Sequence, residues 1–279
     1  MRVVVAEHAG VCYGVERALR LTSEAAAAGG PVHTLGPLIH NPQVVEELRS
    51  SGVEVADDLS AVDGGTVVVR SHGVDPAVIA DAEVRGLAVV DATCPFVSTA
   101  QRHAADLAEL GYTVVIVGEA DHPEVEGIVA HAKGSAIVVQ DAASLPDRLP
   151  SKRVGVVVQT TQTAQRLQEV VDALLPRTSE LRVFNTICSA TAKRQKAARE
   201  LARSVDAMIV VGGHNSGNTT RLAEICREEN PNVHHIETPE EIDPRWFVGV
   251  EVVGVTAGAS TPSDQIERVV EAIERIGDG

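Results

Sequence analysis

Three cysteines, Cys12, Cys94 and Cys188, sit at one repeated kind of place in this 279-residue chain. The stretches RVVVAEHAGVCYGVERAL, LAVVDATCPFVSTAQRHAADL and LRVFNTICSATAKRQKAAREL each run from apolar β-formers through a Gly, Asp or Thr turn into the Cys. Apolar residues then recur three and four apart, as on one helix face. Val15, Ala18, Leu19 and Thr22 follow the first Cys in this way, and Val97, Ala100, Ala104 and Leu107 the second. A thiol so placed leaves the C-terminal edge of a strand at the positive end of a helix, where thiolate and metal ligation are favoured. Structural zinc takes closely spaced Cys/His pairs and four protein ligands, and no such spacing occurs here. Three thiolates without a fourth suit a [4Fe–4S] cluster with one iron left open to substrate. The remaining cysteine, Cys226, shares an apolar helix face with Leu222 and Ile225 and reads as core.

The elements that must position these thiols are legible from spacing. Twenty-eight residues after each Cys comes a polar loop residue: His40, His122 and Ser216. Their loops, GPLIHNPQVVEEL, GEADHPEVEGIV and GGHNSGNTTRLAEIC, each begin with Gly after an apolar run and each run into a helix. Three further strand ends carry polar tips, VVVRSHGV, GVVVQTTQT and VVGVTAGAST, and a helical stretch follows each. One unit therefore reads Cys, helix, strand, polar loop, helix, strand, strand, polar tip, helix, strand, and it occurs three times. Alternating strands and helices predict mostly parallel α/β units. The expected architecture is three similar α/β units, residues 12–93, 94–187 and 188–279, and if a rough three-fold axis relates them, equivalent positions converge near it. Ligands of open α/β sheets bind beyond the carboxyl ends of the strands, where all these loops lie.

Composition narrows the function. With 44% hydrophobic and 23% charged residues the chain is a folded protein, and its length allows several units of about 90 residues. No apolar run approaches the ~20 residues that span a bilayer, and MRVVVAEHAG begins a strand rather than a signal peptide, so a cytoplasmic protein without membrane attachment is expected. A formal charge of −15 with 2% aromatic residues opposes nucleic-acid binding, which wants Lys/Arg stripes and stacking platforms. An anionic substrate would also be repelled by the bulk field, so its site must be made locally positive by helix N-termini and histidines.

Candidate residues follow from these loops. His72 sits at the first tip beside Ser71, and Thr160 and Thr161 sit at the second. Glu124 lies two residues beyond His122 at the start of a helix, where the dipole lowers a carboxylate's pKa unless burial raises it. Ser216, Gly217, Asn218 and Thr219 start a helix in the third unit, an anion-cradling arrangement that lacks the Lys-Ser/Thr of a P-loop. Ser260 closes the third tip. The other histidines, His8, His33, His103, His131, His214, His234 and His235, have no matched placement and read as ordinary. The acidic run PEEIDPRWF reads as a solvated surface turn.

At these motifs the sequence closely resembles the LytB family of 4-hydroxy-3-methylbut-2-enyl diphosphate reductases. The matching stretches are AEHAGVCYGV, TLGPLIHNPQVVEEL, VRSHGV, VDATCP, HPEVEG, QTTQT, ICSATAKRQ, HNSGNTTRL and GVTAGAS, which cover nearly the whole chain. The resemblance implies a trefoil of three α/β units, with mostly parallel sheets about a pseudo-three-fold axis, around a central [4Fe–4S] cluster on Cys12, Cys94 and Cys188. It implies that His40, His72, His122, Ser216, Gly217, Asn218 and Ser260 bind the substrate diphosphate, with Thr160 near its hydroxyl and Glu124 as proton donor. It implies a two-electron, two-proton reductive dehydroxylation giving isopentenyl and dimethylallyl diphosphates, fed by a donor such as ferredoxin or flavodoxin. Two positions depart from the family. Gly217 stands where many relatives have Ser, so a backbone N–H takes the place of one hydroxyl contact, and Val11 replaces a common Phe.

Two other classes compete. A quinolinate synthase type would also place three Cys on one cluster, but the HPEVEG and NSGNT loops favour the reductase. A cluster-bearing regulator would need a basic helix-turn-helix, which the sequence does not display. The first strand adds one structural expectation. The units before Cys94 and Cys188 end in LAVVD and LRVFN, whereas the third ends in a helix; residues 1–11 should therefore close the third unit. The run Val3-Val4-Val5 suits a strand buried on both faces.

Overall fold

The computed structural model describes residues 1–133 and 136–277. Its strands are β1 (Arg2–Val5), β2 (Val32–Leu35), β3 (Val53–Ala56), β4 (Thr66–Val69), β5 (Ala88–Asp91), β6 (Thr113–Val117), β7 (Ile137–Val139), β8 (Arg153–Val158), β9 (Glu180–Val183), β10 (Ala207–Val211), β11 (Val233–Ile236) and β12 (Val252–Ala257). The helices are α1 (Tyr13–Ala27), α2 (Pro42–Ser50), α3 (Pro76–Val84), α4 (Pro95–Glu109), α5 (Pro123–His131), α6 (Ala164–Leu174), α7 (Ser189–Ala202), α8 (Gly217–Glu229) and α9 (Ser263–Gly277). Valine-rich runs make the strands because β-branched side chains pack well on a pleated surface. Proline begins α2, α3, α4 and α5, where a missing N–H costs nothing. Side-chain caps start others: Thr163 accepts from Arg166 N–H, and Ser216 from Thr219 N–H.

The strands form three four-stranded parallel sheets, ordered β3-β2-β4-β5, β7-β6-β8-β9 and β1-β12-β10-β11. The protein is therefore an α/β protein built from three similar sheets with helices. The central strands are the buried ones: every residue of β6 and β10 is buried, and so is all of β8 after Arg153. The expected helix faces point inward, with Val97, Ala100, Ala104 and Leu107 of α4 all buried. Gly155 of β8 lies so near Leu107 that a Cβ there would collide with it, and Gly254 of β12 is held in the same way by Met208. These glycines admit a large side chain against the strand, in matched positions of two sheets.

The first strand joins the third sheet. Val3, Val4 and Val5 pair with Val253, Gly254 and Val255, and not with strands of residues 12–93. The expectation that this strand is buried on both faces fails. β1 is an edge strand, and Val5 is 46% exposed. The strands before the other two cysteines, β5 and β9, are half-exposed edges as well. A short edge strand leaves one row of backbone groups to solvent and needs no full apolar cover. The run PEEIDPRWF is also more than a solvated turn: Phe247 is buried in the core of the third sheet, and Trp246 stacks on His234 at 3.8 Å.

The chain divides into two compact units. One comprises residues 1–15, 40–44 and 189–279 and contains the sheet β1-β12-β10-β11. Its core joins Ile209, Val253 and Val255 to Ile266, Val269 and Ile273 of α9. The other comprises residues 16–39 and 45–188 and contains both remaining sheets. Among the described residues, no helix is long and apolar enough to cross a membrane.

Candidate functional site

Each cysteine is fixed by the same backbone device. Cys12 N–H donates to Ala259 O at 3.2 Å, Cys94 N–H to Ser71 O at 2.9 Å, and Cys188 N–H to Thr160 O at 3.1 Å. In each case the acceptor belongs to the polar tip of the neighbouring strand. Cys94 is the N-cap of α4 with extended backbone, and Cys12 and Cys188 directly precede α1 and α7. The turn before Cys94 is closed by Asp91, which accepts from Thr93 N–H, and by Arg17, which donates to Thr93 O and Asp91 O. The turn before Cys12 is closed by Arg194, which donates to Gly10 O at 2.6 Å. None of the three is in a disulfide, and all are partly exposed. Cysteine sulfurs at helix N-termini, on turns fixed by backbone hydrogen bonds, fit an iron–sulfur cluster. Cys226 differs: it is fully buried beside Leu222, Ala223 and Met208, and burial pushes its thiol up to about 12.

Within the unit of residues 16–39 and 45–188, the acid expected at Glu124 lies at the centre of a hydrogen-bonded set. Glu124 is 2% exposed. Its Oε1 accepts from Thr160 N–H at 2.6 Å and its Oε2 from Thr160 Oγ1 at 2.9 Å. Burial raises its pKa to about 7, and the two bonds from Thr160 oppose that rise without cancelling it. The helix-start effect on the carboxylate is thus overridden by desolvation. Thr160 links the acid to the cysteine turn, because its carbonyl receives the Cys188 N–H.

His122 caps α5, its Nδ1 accepting the Glu124 N–H at 3.1 Å. That bond leaves the proton of the neutral ring on Nε2, as a donor. The His72 ring stands edge-on to it, with centroids 5.5 Å apart. His72 is placed by a tight turn in which Gly73 has φ +75° and approaches the Gln101 amide so closely that a side chain would collide. Ser71 is not a free hydroxyl of the tip: both its N–H and its Oγ donate to Leu38 O.

Within the other unit, the His40 loop is tied to the third tip. Ser260 Oγ donates to His40 O at 3.0 Å, and Asn41 Nδ2 donates to Ser260 O at 2.8 Å. Asn41 Oδ1 meanwhile caps α2, accepting from Gln43 and Val44 N–H. Ser216 caps α8, and Gly217 and Asn218 form its first turn. Asn218 is 7% exposed, and its Nδ2 is buried with no hydrogen-bond partner. A buried amide donor left open at a positive helix end suits an anion.

The structure thus joins Glu124, Thr160 and the Cys188 turn, sets His72 beside His122, and joins His40 to Ser260. Sequence reading missed Asn41, Gln159, Arg17 and Arg194. Asn41 precedes Pro42 in an N-cap pattern and was open to recognition. Gln159 accepts the Glu119 N–H at 3.0 Å and so ties the loop of His122 to the Thr160 tip. The long-range arginine bonds leave no local signal.

These features define a class: a parallel α/β protein of three like sheets, with a repeated set of cysteine turns, a buried acid and an open amide donor at a helix start. The chain belongs to the LytB family, because residues 3–274 match the family model described as LytB protein. It is 53% identical over 279 residues to the 4-hydroxy-3-methylbut-2-enyl diphosphate reductase of Geotalea uraniireducens, covering 99% of this chain and 98% of that one. It is 55% identical over 277 residues to the enzyme of that name from Geobacter sulfurreducens, with 98% and 97% covered. A solved (E)-4-hydroxy-3-methyl-but-2-enyl diphosphate reductase, the terminal enzyme of the non-mevalonate pathway, is 44% identical with a TM-score of 0.73, and 99% and 100% of the two chains are covered. The E-1-hydroxy-2-methyl-but-2-enyl-4-diphosphate reductase of Plasmodium falciparum is 25% identical with a TM-score of 0.92, covering 97% of this chain and 87% of that one.

Proposed function

We propose that the chain is a 4-hydroxy-3-methylbut-2-enyl diphosphate reductase, the last enzyme of the non-mevalonate isoprenoid pathway. The observation that carries this reading is Glu124, a buried carboxyl group raised to about 7 and held by Thr160 one carbonyl away from the Cys188 turn. The reaction consumes two electrons and two protons: an allylic C–O bond breaks, water leaves, and one C–H bond forms. Cys12, Cys94 and Cys188 would hold a [4Fe–4S] cluster with one iron not ligated by protein, which when bound supplies the electrons singly and a Lewis acid for the substrate hydroxyl.

The chain's own residues do the rest. Glu124, protonated at and below neutral pH, gives up a proton as the hydroxyl departs, and Thr160 Oγ1 sits on its carboxyl group to relay it. His122 offers Nε2–H to a diphosphate oxygen, and the α8 N-terminus, with Gly217 N–H and the open Asn218 amide, offers more donors. His40, His72, Ser216 and Ser260 complete the diphosphate set. Fixing the phosphate end of a short substrate fixes its reacting end as well. The donor is a one-electron carrier such as ferredoxin or flavodoxin, and the enzyme works in the cytoplasm beside it. Residues 12–93, 94–187 and 188–279 act as three repeats, the last completed by residues 1–11.

Growth tests the reading. A bacterium whose own copy of this last enzyme is repressed should grow again when this chain is expressed. No growth, with the chain present as folded, iron-loaded protein, would contradict the assignment.

A further inference from the structure

The helix that Cys94 opens grips the His72 turn at two points. At the first, Cys94 N–H donates to Ser71 O at 2.9 Å. At the second, Gln101, two turns further along α4, lays its amide against Gly73. His72 lies between the two holds. Gln101 is 5% exposed, on a helix that also buries Val97, Ala100, Ala104 and Leu107. Its Nε2 is enclosed and has no hydrogen-bond partner. The surrounding chain makes room for this amide twice. A methyl group on Gly73 would stand 2.4 Å from Nε2, and one on Gly127 would stand 3.1 Å from it. Gly127 lies one turn beyond Glu124 within α5, where glycine costs helix stability that alanine would not. The methyl position on Gly127 is also 3.6 Å from His72 O, so Nε2 and that carbonyl flank one point. The opposite orientation of the amide would set Oε1 toward the same carbonyl and repel it. An apolar side chain of this size would fill the slot without burying an unpaired donor, which destabilises a fold.

We propose that Gln101 is a positioning residue for the substrate diphosphate: it donates from Nε2 to His72 O and so fixes the His72 ring against His122 when both rings take the anion. The proposal rests on the reading that His72 and His122 bind the diphosphate. His122 is already set at the start of α5, where its Nδ1 accepts Glu124 N–H. The His72 ring stands edge-on to it at 5.5 Å, on a turn whose far side rests against Gln101. A diphosphate oxygen shared by the two rings draws the turn toward α5, and that movement closes the gap between His72 O and Nε2. The bond then forms in the complex, so the amide stabilises the bound protein and not the free one, which strengthens binding. Glu124 is held separately by Thr160, so the geometry of the proton donor does not depend on Gln101.

Gln101→Met separates this role from packing. Methionine keeps the length and unbranched shape of glutamine and removes the donor. The variant should melt at the wild-type temperature or above it, because no unpaired amide remains buried. Anaerobic calorimetric titration of the iron-loaded variant with inorganic diphosphate should nevertheless show binding about tenfold weaker than the wild type's, the worth of one good hydrogen bond. The KM for 4-hydroxy-3-methylbut-2-enyl diphosphate should rise by the same factor, with kcat kept within about twofold. Gln101→Leu, which fills the slot with a different shape, should behave alike. A residue that only packs would couple the two readouts, losing affinity in step with stability or changing neither. Diphosphate affinity and KM unchanged in both variants would overturn the proposal, and so would an affinity that falls only as the melting temperature falls. Wild-type protein that binds no diphosphate, or His72→Ala that binds it as tightly as the wild type, would instead overturn the reading of the histidines and the proposal with it.

Discussion

Cys94→Ser is expected to lose its iron and all turnover, whereas Cys226→Ala keeps both. Serine retains the N–H that bonds Ser71 O and the extended N-cap of α4, so the turn survives and only the sulfur is lost. Two thiolates cannot hold a cluster that takes three, and an alkoxide ligand would require removing a proton far less acidic than a thiol's. Cys226 packs inside an apolar helix face with its thiol pushed up to about 12, and it offers no thiolate. Its truncation to alanine costs roughly 1 kcal/mol of packing and nothing else. Iron and sulfide counts on anaerobically purified protein separate the two variants, and loss of iron from Cys226→Ala would overturn the ligand assignment.

Glu124→Gln should keep fold, iron and substrate affinity and lose at least about 100-fold in kcat, the scale of general acid catalysis. Glutamine matches the carboxyl group in size and can still accept from Thr160 N–H, so only the proton is removed. Two pH profiles isolate that proton. In the wild type, kcat should fall about tenfold per pH unit above about 7, as Glu124 ionises, and the limb should vanish in the variant. Stability carries the same signature. The folded value lies above the ordinary 4.5, so the contribution of the neutral acid is complete below 4.5 and is lost as pH rises through about 7. By linkage that loss is roughly 3 kcal/mol. The variant should therefore gain thermal stability on the wild type between pH 5 and pH 8. A variant with near-normal kcat would reduce Glu124 to a helix-start acid and move the proton source elsewhere.

Much of this was legible in the sequence because repetition made it so. A single Cys after a strand says little, but three Cys with polar loops at one spacing mark equivalent positions, and the sheets carry them equivalently. Pairing of Val3 to Val5 with the third sheet also followed from counting strands per repeat. Burial of that strand did not follow, because apolar content alone does not distinguish a central strand from an edge. Glu124 showed the same limit. Its type and neighbours were readable, yet the sign of its pKa shift depended on burial among residues 36 positions away. Arg17 and Arg194, which hold the cysteine turns from distant helices, are ordinary helix arginines until the chain folds. Phe247 was hidden in an acidic run whose charge suggested solvent, although one aromatic side chain anchors it to the core.

The most direct measurement is anaerobic turnover of 4-hydroxy-3-methylbut-2-enyl diphosphate by the iron-loaded protein with reduced methyl viologen, reading viologen oxidation and the products together. Two viologens should be oxidised per substrate, and isopentenyl and dimethylallyl diphosphates should account for all the substrate consumed. Intact cluster with no viologen oxidation, or oxidation without either product, would contradict the account.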